Sequence, residues 1–261
     1  MSGRPSAAAA LAADPARAGL ICDFDGVLAP IVADPTASAL PQAVATTLGA
    51  LARRLALVAV LSGRPLEFLR ERVPVPGVQL LGSYGMERYR DDRPYVVPAA
   101  RGWLQSVREA NAELAGHFAR WPGVRVEDKA VSVAVHWRQA RDQDAAATEV
   151  RRVTSSIAAT TGLRIEPGKL VEELRPPIDI DKGSTIAELL SDNNVGAAAY
   201  AGDDVGDLPA LEVIRAAGGY ALVVDHRDET DPRLLEVADQ VFPDTVAFAH
   251  WLASLAESAK A

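Results

Sequence analysis

The sequence predicts a doubly wound α/β core interrupted by a smaller α+β insert. Three observations carry this. Short, wholly apolar runs end repeatedly in Gly or Asp. Amphipathic helical stretches alternate with those runs. The alternation breaks in the middle of the chain and resumes beyond it.

The first apolar run, 19–22, leads into Asp23. The next, 55–61, leads into Ser62-Gly63, and 78–81 leads into Gly82. Beyond the interruption, 197–201 leads into Gly202-Asp203-Asp204 and 220–224 into Asp225, with 239–242 a weaker last candidate. Runs this short and this apolar suit strands covered on both faces of a parallel sheet. Helical patterns fall at 41–54, 65–72, 183–194, 207–217, 230–238 and 244–258. In the middle the order becomes helix, strand pair, helix, strand pair, with helices near 100–119 and 142–161 and strands within 124–137 and 163–174. Val131-Ser132-Val133-Ala134-Val135 alternates with period two, as a strand with one covered face does. The expected division is a core of 19–98 and 178–261, a cap of 99–177 and an alanine-rich, poorly ordered N-terminal arm of 1–18. Linkers are expected at Pro98-Ala99-Ala100 and Pro176-Pro177.

Composition narrows the function. Of 261 residues, 49% are hydrophobic and 24% charged, the balance of a globular chain with a sizeable core. A net charge of -8 argues against a nucleic-acid partner, which is bound by clustered Lys and Arg. A single cysteine, Cys22, rules out an internal disulfide and fits a reducing cytoplasm. No apolar stretch approaches the length of a membrane span, and residues 1–17 lack the continuous apolar run of a signal peptide, so no membrane partner is expected.

The unusual residues fall where open α/β sheets bind ligands, beyond the C-terminal ends of the strands. Asp23 and Asp25, two apart on an extended segment, can face one pocket. Paired carboxylates repel, and a cation relieves that repulsion. A carboxylate also serves as a nucleophile towards phosphorus. Asp203, Asp204 and Asp207 close another strand with hard oxygen ligands suited to Mg2+. Ser62-Gly63-Arg64 offers a hydroxyl and backbone N–H groups at a helix start, which suits a phosphate. Lys182, just ahead of a further helix, adds a fixed positive charge. Taken alone, Asp-x-Asp is as often just a solvated turn, Gly-Asp-Asp more often a loop than a metal site, Ser-Gly-Arg usually a helix cap and a lysine before a helix nearly always a surface residue. Their conjunction, in one order and each at a strand or helix end, is what points to chemistry.

Asp23-Phe24-Asp25-Gly26-Val27, Ser62-Gly63-Arg64, Asp181-Lys182-Gly183 and Gly202-Asp203-Asp204 together resemble the four motifs of haloacid dehalogenase-like phosphatases, whose core is Rossmann-like. The resemblance implies that Asp23 is the nucleophile forming an aspartyl-phosphate and that Asp25 is the general acid and base. It gives Ser62, Gly63 and Lys182 to the phosphate. It gives Mg2+ to Asp23, Asp203 and the backbone carbonyl of Asp25, with Asp204 and Asp207 completing or orienting the shell. An α+β cap between the second and third motifs is similar to the class acting on phosphosugars.

Longer stretches resemble trehalose-6-phosphate phosphatases. These are the run from Val126-Glu127 to Trp137-Arg138, the run Gly168-Lys169 to Arg175-Pro176, and Gly82-Ser83-Tyr84-Gly85-Met86-Glu87. The implied function is Mg2+-dependent hydrolysis of trehalose 6-phosphate, as part of trehalose biosynthesis, with a small phosphorylated disaccharide as the partner. Glu127, Lys129, Arg138, Lys169 and Glu173 are the implied sugar contacts of the cap, and Arg64, Tyr84 and Gly85 those of the core. Two departures bear on the sugar. Tyr84 stands where the family usually has His, and Gly206-Asp207-Leu208 replaces its Thr-Asp-Glu. A trehalose-like pseudo-disaccharide phosphate is therefore the alternative substrate, and a non-catalytic sugar-phosphate sensor the rival from another class. The intact Asp23, Asp25, Lys182 and Asp203 speak against the sensor.

Overall fold

A computed structural model describes residues 4–32, 34–90, 93–227 and 230–259. The chain opens with helix α1 (Ala7–Ala13), strand β1 (Ala18–Cys22), helix α2 (Gln42–Ala52), strand β2 (Leu57–Leu61), helix α3 (Leu66–Arg72) and strand β3 (Gln79–Leu81). An antiparallel hairpin follows, β4 (Glu87–Arg90) and β5 (Arg93–Val96). Next come α4 (Pro98–Arg101), α5 (Leu104–Phe118), β6 (Arg125–Asp128), β7 (Val133–His136), α6 (Gln143–Thr161), β8 (Arg164–Gly168) and β9 (Val171–Arg175). The chain ends with α7 (Lys182–Asp192), β10 (Ala197–Gly202), α8 (Leu208–Ala216), β11 (Tyr220–Val224), α9 (Pro232–Val237), β12 (Gln240–Phe242) and α10 (Thr245–Ser258). Contacts divide it into two compact units, one running to Gly85 and resuming at Ile180, the other Met86–Asp179.

The first unit is built on a parallel sheet of order β12-β11-β10-β1-β2-β3. Strand order reverses between β1 and β10, so loops leaving their C-terminal ends diverge and open a crevice. β1, β2 and β11 are buried at every position, which is why their sequences are apolar throughout. Alternate residues serve opposite faces. Leu20, Val58, Val60 and Leu222 join one core with Val44 and Leu48 of α2 and Phe248, Leu252 and Leu255 of α10. Ile21, Leu57, Ala59 and Tyr200 join the other with Ile186 of α7, Leu211 and Ile214 of α8 and Leu234 of α9.

The second unit has an antiparallel sheet of order β6-β7-β9-β8. One face packs on α5 and α6 through Val133, Val135 and Leu174 against Val107, Leu114, Val150 and Ile157. The β4–β5 hairpin belongs to this unit, which begins at Met86 rather than residue 99 and ends at Asp179 rather than 177. The hairpin has no apolar run to announce it; its strands read Glu-Arg-Tyr-Arg and Arg-Pro-Tyr-Val. No helix among the described residues is long and apolar enough to cross a membrane.

Of the two readings of the N-terminal arm, frayed or weakly helical, the structure has the helix, and it is packed rather than poorly ordered. Ala7–Ala13 forms a helix whose Leu11 is fully buried in the core it shares with α2 and α10. Ser6 caps it by accepting from the Ala9 N–H. Small alanine side chains let the helix lie close to its neighbours, but they carry no amphipathic period, so the sequence gives little sign of it. Met1 to Gly3 lie outside the described residues. Leu11→Ala should destabilise the protein by about 2–5 kcal/mol in denaturant unfolding, the cost of a large-to-small core change. A loss below about 0.5 kcal/mol would mark the arm as a surface appendage.

Candidate active site

Five acidic side chains, one lysine and one arginine gather at the C-terminal edge of the parallel sheet. Asp23 follows β1 directly, and its N–H still donates to the Ala201 carbonyl of β10 (2.9 Å), so the ladder holds its backbone. Its Oδ1 accepts from the Phe24 N–H at 2.6 Å and its Oδ2 from Lys182 Nζ at 2.8 Å. Lys182 is the first residue of α7, fixed by a capping box between Asp181 and Ser184. Its Nζ donates a second bond, at 2.6 Å, to Asp207 Oδ1.

Asp207 is wholly buried and fully engaged. Its Oδ1 also accepts from the Tyr200 hydroxyl, and its Oδ2 accepts from the N–H groups of Asp203 (2.9 Å) and Asp204 (3.2 Å). Carboxylate oxygens of Asp23, Asp203 and Asp207 lie within 4.8 Å of one another. The Asp204 carboxylate accepts from the Gly206 N–H at 2.8 Å and caps the short turn Val205–Asp207.

One ammonium therefore faces three clustered carboxylates, and the pocket carries excess negative charge. Burial pushes the Asp23 carboxyl up to about 7; Lys182 opposes the shift, and Asp207 and Asp204 add to it. Burial, with Asp207, Asp23 and Asp204, holds Asp203 well above the usual carboxylate range. Burial alone would lower Lys182, but Asp207 and Asp23 outweigh it and keep the lysine firmly charged. Carboxylates and lysine shift in the same direction for different reasons: burial is the largest cause for Asp23 and Asp203, whereas the nearby carboxylates hold Lys182 charged against burial.

Asp25 has different partners. Arg64 grips it in a fork, Nε to Oδ2 at 2.6 Å and Nη2 to Oδ1 at 3.1 Å, and the Ser38 hydroxyl donates to Oδ1 at 2.7 Å. Arg64 also donates to the Pro35 carbonyl and lies over the Phe68 ring. Ser62 is buried at the end of β2, where its N–H donates to the Leu81 carbonyl. Tyr84 takes a left-handed backbone (φ 62°) and its N–H donates to the Ser62 carbonyl at 2.9 Å. Its ring occupies the space beside Gly63, where a Cβ would lie 2.9 Å from the hydroxyl. Thr185 of α7 donates to the Tyr84 carbonyl and closes on Gly85, whose φ is +97°.

In the second unit, register places Glu127, Ala134 and Glu173 directly across from one another, on the sheet face away from the α5–α6 core. Glu173 is buried and accepts from Lys129 Nζ (2.9 Å) and from the fully buried Ser132 hydroxyl (2.6 Å). His136 Nε2 lies 2.7 Å from Glu127 Oε2. Arg138 and Lys169 are exposed at the other end of this sheet, just past β7 and in the β8–β9 turn. The structure thus groups Glu127, Lys129 and Glu173, and sets Arg138 and Lys169 apart from them.

Sequence reasoning missed Tyr200, Ser38, Ser132, Thr185 and His226, all of which touch site residues. Only Tyr200 carries a local signal, a lone hydroxyl-bearing residue in a strand otherwise made of alanine and glycine. The others act through contacts distant in sequence.

The trehalose-phosphatase family model matches residues 21–234. A trehalose-phosphate phosphatase of Mycobacterium tuberculosis is 38% identical over 216 residues, covering 80% of this chain and 54% of that protein. The chain thus spans about half the length of the curated relatives it matches. A crystal structure of a trehalose-6-phosphate phosphatase related protein superposes with a TM-score of 0.79 at 21% identity, covering 92% of this chain and 97% of that one. A trehalose-6-phosphate phosphatase from Aspergillus fumigatus gives 0.64 at 25% identity, covering 96% and 97%. The family match runs from the first aspartate through the second unit to beyond the Asp203–Asp207 turn, and the chain belongs to the trehalose-phosphatase family.

Proposed function

We propose that this chain is a Mg2+-dependent phosphatase that hydrolyses trehalose 6-phosphate to trehalose and phosphate, with Asp23 as the covalent phosphoryl acceptor. The observation that carries this reading is the Asp23–Lys182–Asp207 contact chain, set at the strand ends of a trehalose-phosphatase-family chain. A carboxylate held on a rigid strand end beside a fixed ammonium is prepared for in-line attack on a phosphate monoester.

In the first step an Asp23 oxygen bonds to phosphorus, the bond to the sugar oxygen breaks, and Asp25 gives that oxygen its proton. In the second, Asp25 takes a proton from water as the water oxygen attacks phosphorus; the bond to Asp23 breaks and phosphate leaves. Because Arg64 and Ser38 hold both Asp25 oxygens, its acid–base role requires that grip to loosen during turnover. Lys182 and the Ser62–Gly63 segment receive the phosphoryl oxygens.

The donor set suits Mg2+. Asp23 and Asp203 supply hard oxygen atoms, and burial together with neighbouring carboxylates disfavours their ionised forms, a cost that a divalent cation relieves. These two side chains and the Asp25 carbonyl would hold the ion. Asp207, with both oxygens already accepting, and Asp204 support that arrangement. When bound, the ion offsets the charge on the phosphate and the carboxylates.

The cap residues bind the sugar in this reading. Carboxylates accept from sugar hydroxyls, while lysine and arginine donate to them. Burial pushes the Glu127 carboxyl up, but the His136 hydrogen bond and the Lys129, His136 and Arg125 charges outweigh it and hold it at about 2. Glu127 is thus a permanently ionised acceptor. The Tyr84 ring beside Gly63 supports a trehalose-like pseudo-disaccharide phosphate as the second reading.

Phosphate release should therefore depend on Mg2+, vanish with EDTA, and favour trehalose 6-phosphate over glucose 6-phosphate, sucrose 6-phosphate and an aryl phosphate. Release from the aryl ester alone would keep the phosphatase and reject the sugar. Glu127→Gln should lower turnover of the disaccharide phosphate about tenfold or more while sparing the aryl ester; equal loss on both would remove Glu127 from sugar binding. The same variant has a pH signature. Ionised Glu127 stabilises the fold above its ordinary value of 4.5, and that contribution is lost as pH falls to about 2. The thermal midpoint of wild type should fall more steeply across that window than that of Glu127→Gln, and parallel curves would contradict the assignment.

A further inference from the structure

His226 lies in the loop that leaves β11, outside every motif that carries the family resemblance. Its Nε2 is 2.9 Å from the main-chain oxygen of Gly26 and 3.4 Å from Asp203 Oδ2. A carbonyl oxygen only accepts, so Nε2 bears a hydrogen and donates to it. Asp203 Oδ2 lies 3.4 Å from the same nitrogen, close enough for an electrostatic contact with the ring edge but not a second hydrogen bond. Gly26 and Asp203 are themselves in direct contact: Gly26 has φ +74°, and a Cβ there would lie 2.0 Å from Asp203 Oδ2. The imidazole therefore ties together three loops that leave the neighbouring strands β1, β10 and β11. Its own loop is braced, since the His226 N–H donates to Thr230 Oγ1 at 2.7 Å and the Arg227 N–H to Asp225 Oδ1 at 2.8 Å.

We infer that His226 is a positioning residue for the cation site, fixing the Asp203 carboxylate and the Asp25–Gly26 main chain against each other so that the acidic cluster is organised before an ion arrives. The inference rests on the proposal that this cluster takes Mg2+. Partners that orient metal ligands from behind typically change affinity 10–100-fold. Asp203 is buried beside other carboxylates; an imidazole edge anchored to a third loop and packed at 3.4 Å limits where its carboxylate can move.

Titration calorimetry of the metal-free full chain with Mg2+ alone tests this. His226→Ala should raise the Mg2+ dissociation constant by about tenfold or more, with the metal-free thermal midpoint little changed. His226→Gln, which keeps an N–H donor, should recover most of the affinity. Wild-type affinity in His226→Ala overturns the inference and leaves the metal reading standing; a wild-type chain that takes up no Mg2+ overturns both. Nitrogen-detected NMR of wild type needs no folded alanine variant. The His226 signal, assigned by its loss in His226→Gln, should report an Nε2–H ring and shift with the Mg2+ midpoint found by calorimetry. A bare Nε2, or a signal that ignores Mg2+, overturns the inference.

Discussion

The buried ammonium of Lys182 is the contact on which the active end of the parallel sheet depends. It bonds Asp23 at the end of β1 and Asp207 in the turn that opens α8, and so joins three elements distant in sequence. Burying a charge costs several kcal/mol unless it is well paired, and removing one partner of a buried pair typically costs about 3–5 kcal/mol. Every feature around it serves that pairing. The capping box fixes the start of α7, Tyr200 and two backbone N–H groups hold Asp207, and the β1–β10 ladder holds Asp23. Fold stability and site geometry are the same set of bonds here.

The pairing is nevertheless unbalanced. Asp207 is satisfied within the protein, whereas Asp23 and Asp203, raised chiefly by burial, stand in a pocket with more carboxylates than ammonium groups. A purely structural ion-pair network has no reason to retain that surplus. A site that must receive a cation and a phosphate does, because electrostatic positioning is most of what phosphoryl transfer asks of a protein. Arg64 shows the same economy, neutralising Asp25 while Ser38 completes its hydrogen bonding.

Much of this was legible in the sequence. The inner strands β1, β2, β10 and β11 coincide with apolar runs, because a strand covered on both faces must be apolar throughout, while the edge strands β3 and β12 each begin with a glutamine, are partly exposed and give a weaker signal. Helices with a clear apolar stripe, such as α7 and α8, were equally visible. Two elements were not. α1 is legible as no more than a weakly helical alanine stretch, with Leu11 alone as a large apolar residue and no sign of its burial, and the β4–β5 hairpin, reading Glu-Arg-Tyr-Arg and Arg-Pro-Tyr-Val, lacks the pattern of a covered strand. At the site, residue types at strand ends identified Asp23, Asp203, Asp207 and Lys182. Spacing suggests that Asp23 and Asp25 face one pocket; both lie at the same edge of the sheet, with the Asp25 carboxylate held by Arg64 and Ser38 rather than within the Asp23–Asp203–Asp207 cluster. Contacts of this kind depend on which loops the topology brings together, and local sequence does not encode that. In the cap, the strand register aligned Glu127 with Glu173, whereas Arg138 and Lys169 fall at the far end of the sheet.

The proposed reaction stands or falls on transient phosphorylation of Asp23. Rapid acid quenching of a single turnover of trehalose 6-phosphate, followed by peptide mapping, tests it most directly. A transient acid-stable phosphate should appear on the peptide carrying Asp23 and be absent in Asp23→Asn, which should also lose turnover by about 10^4 or more. Phosphate release without any labelled peptide, or undiminished turnover by Asp23→Asn, would contradict it.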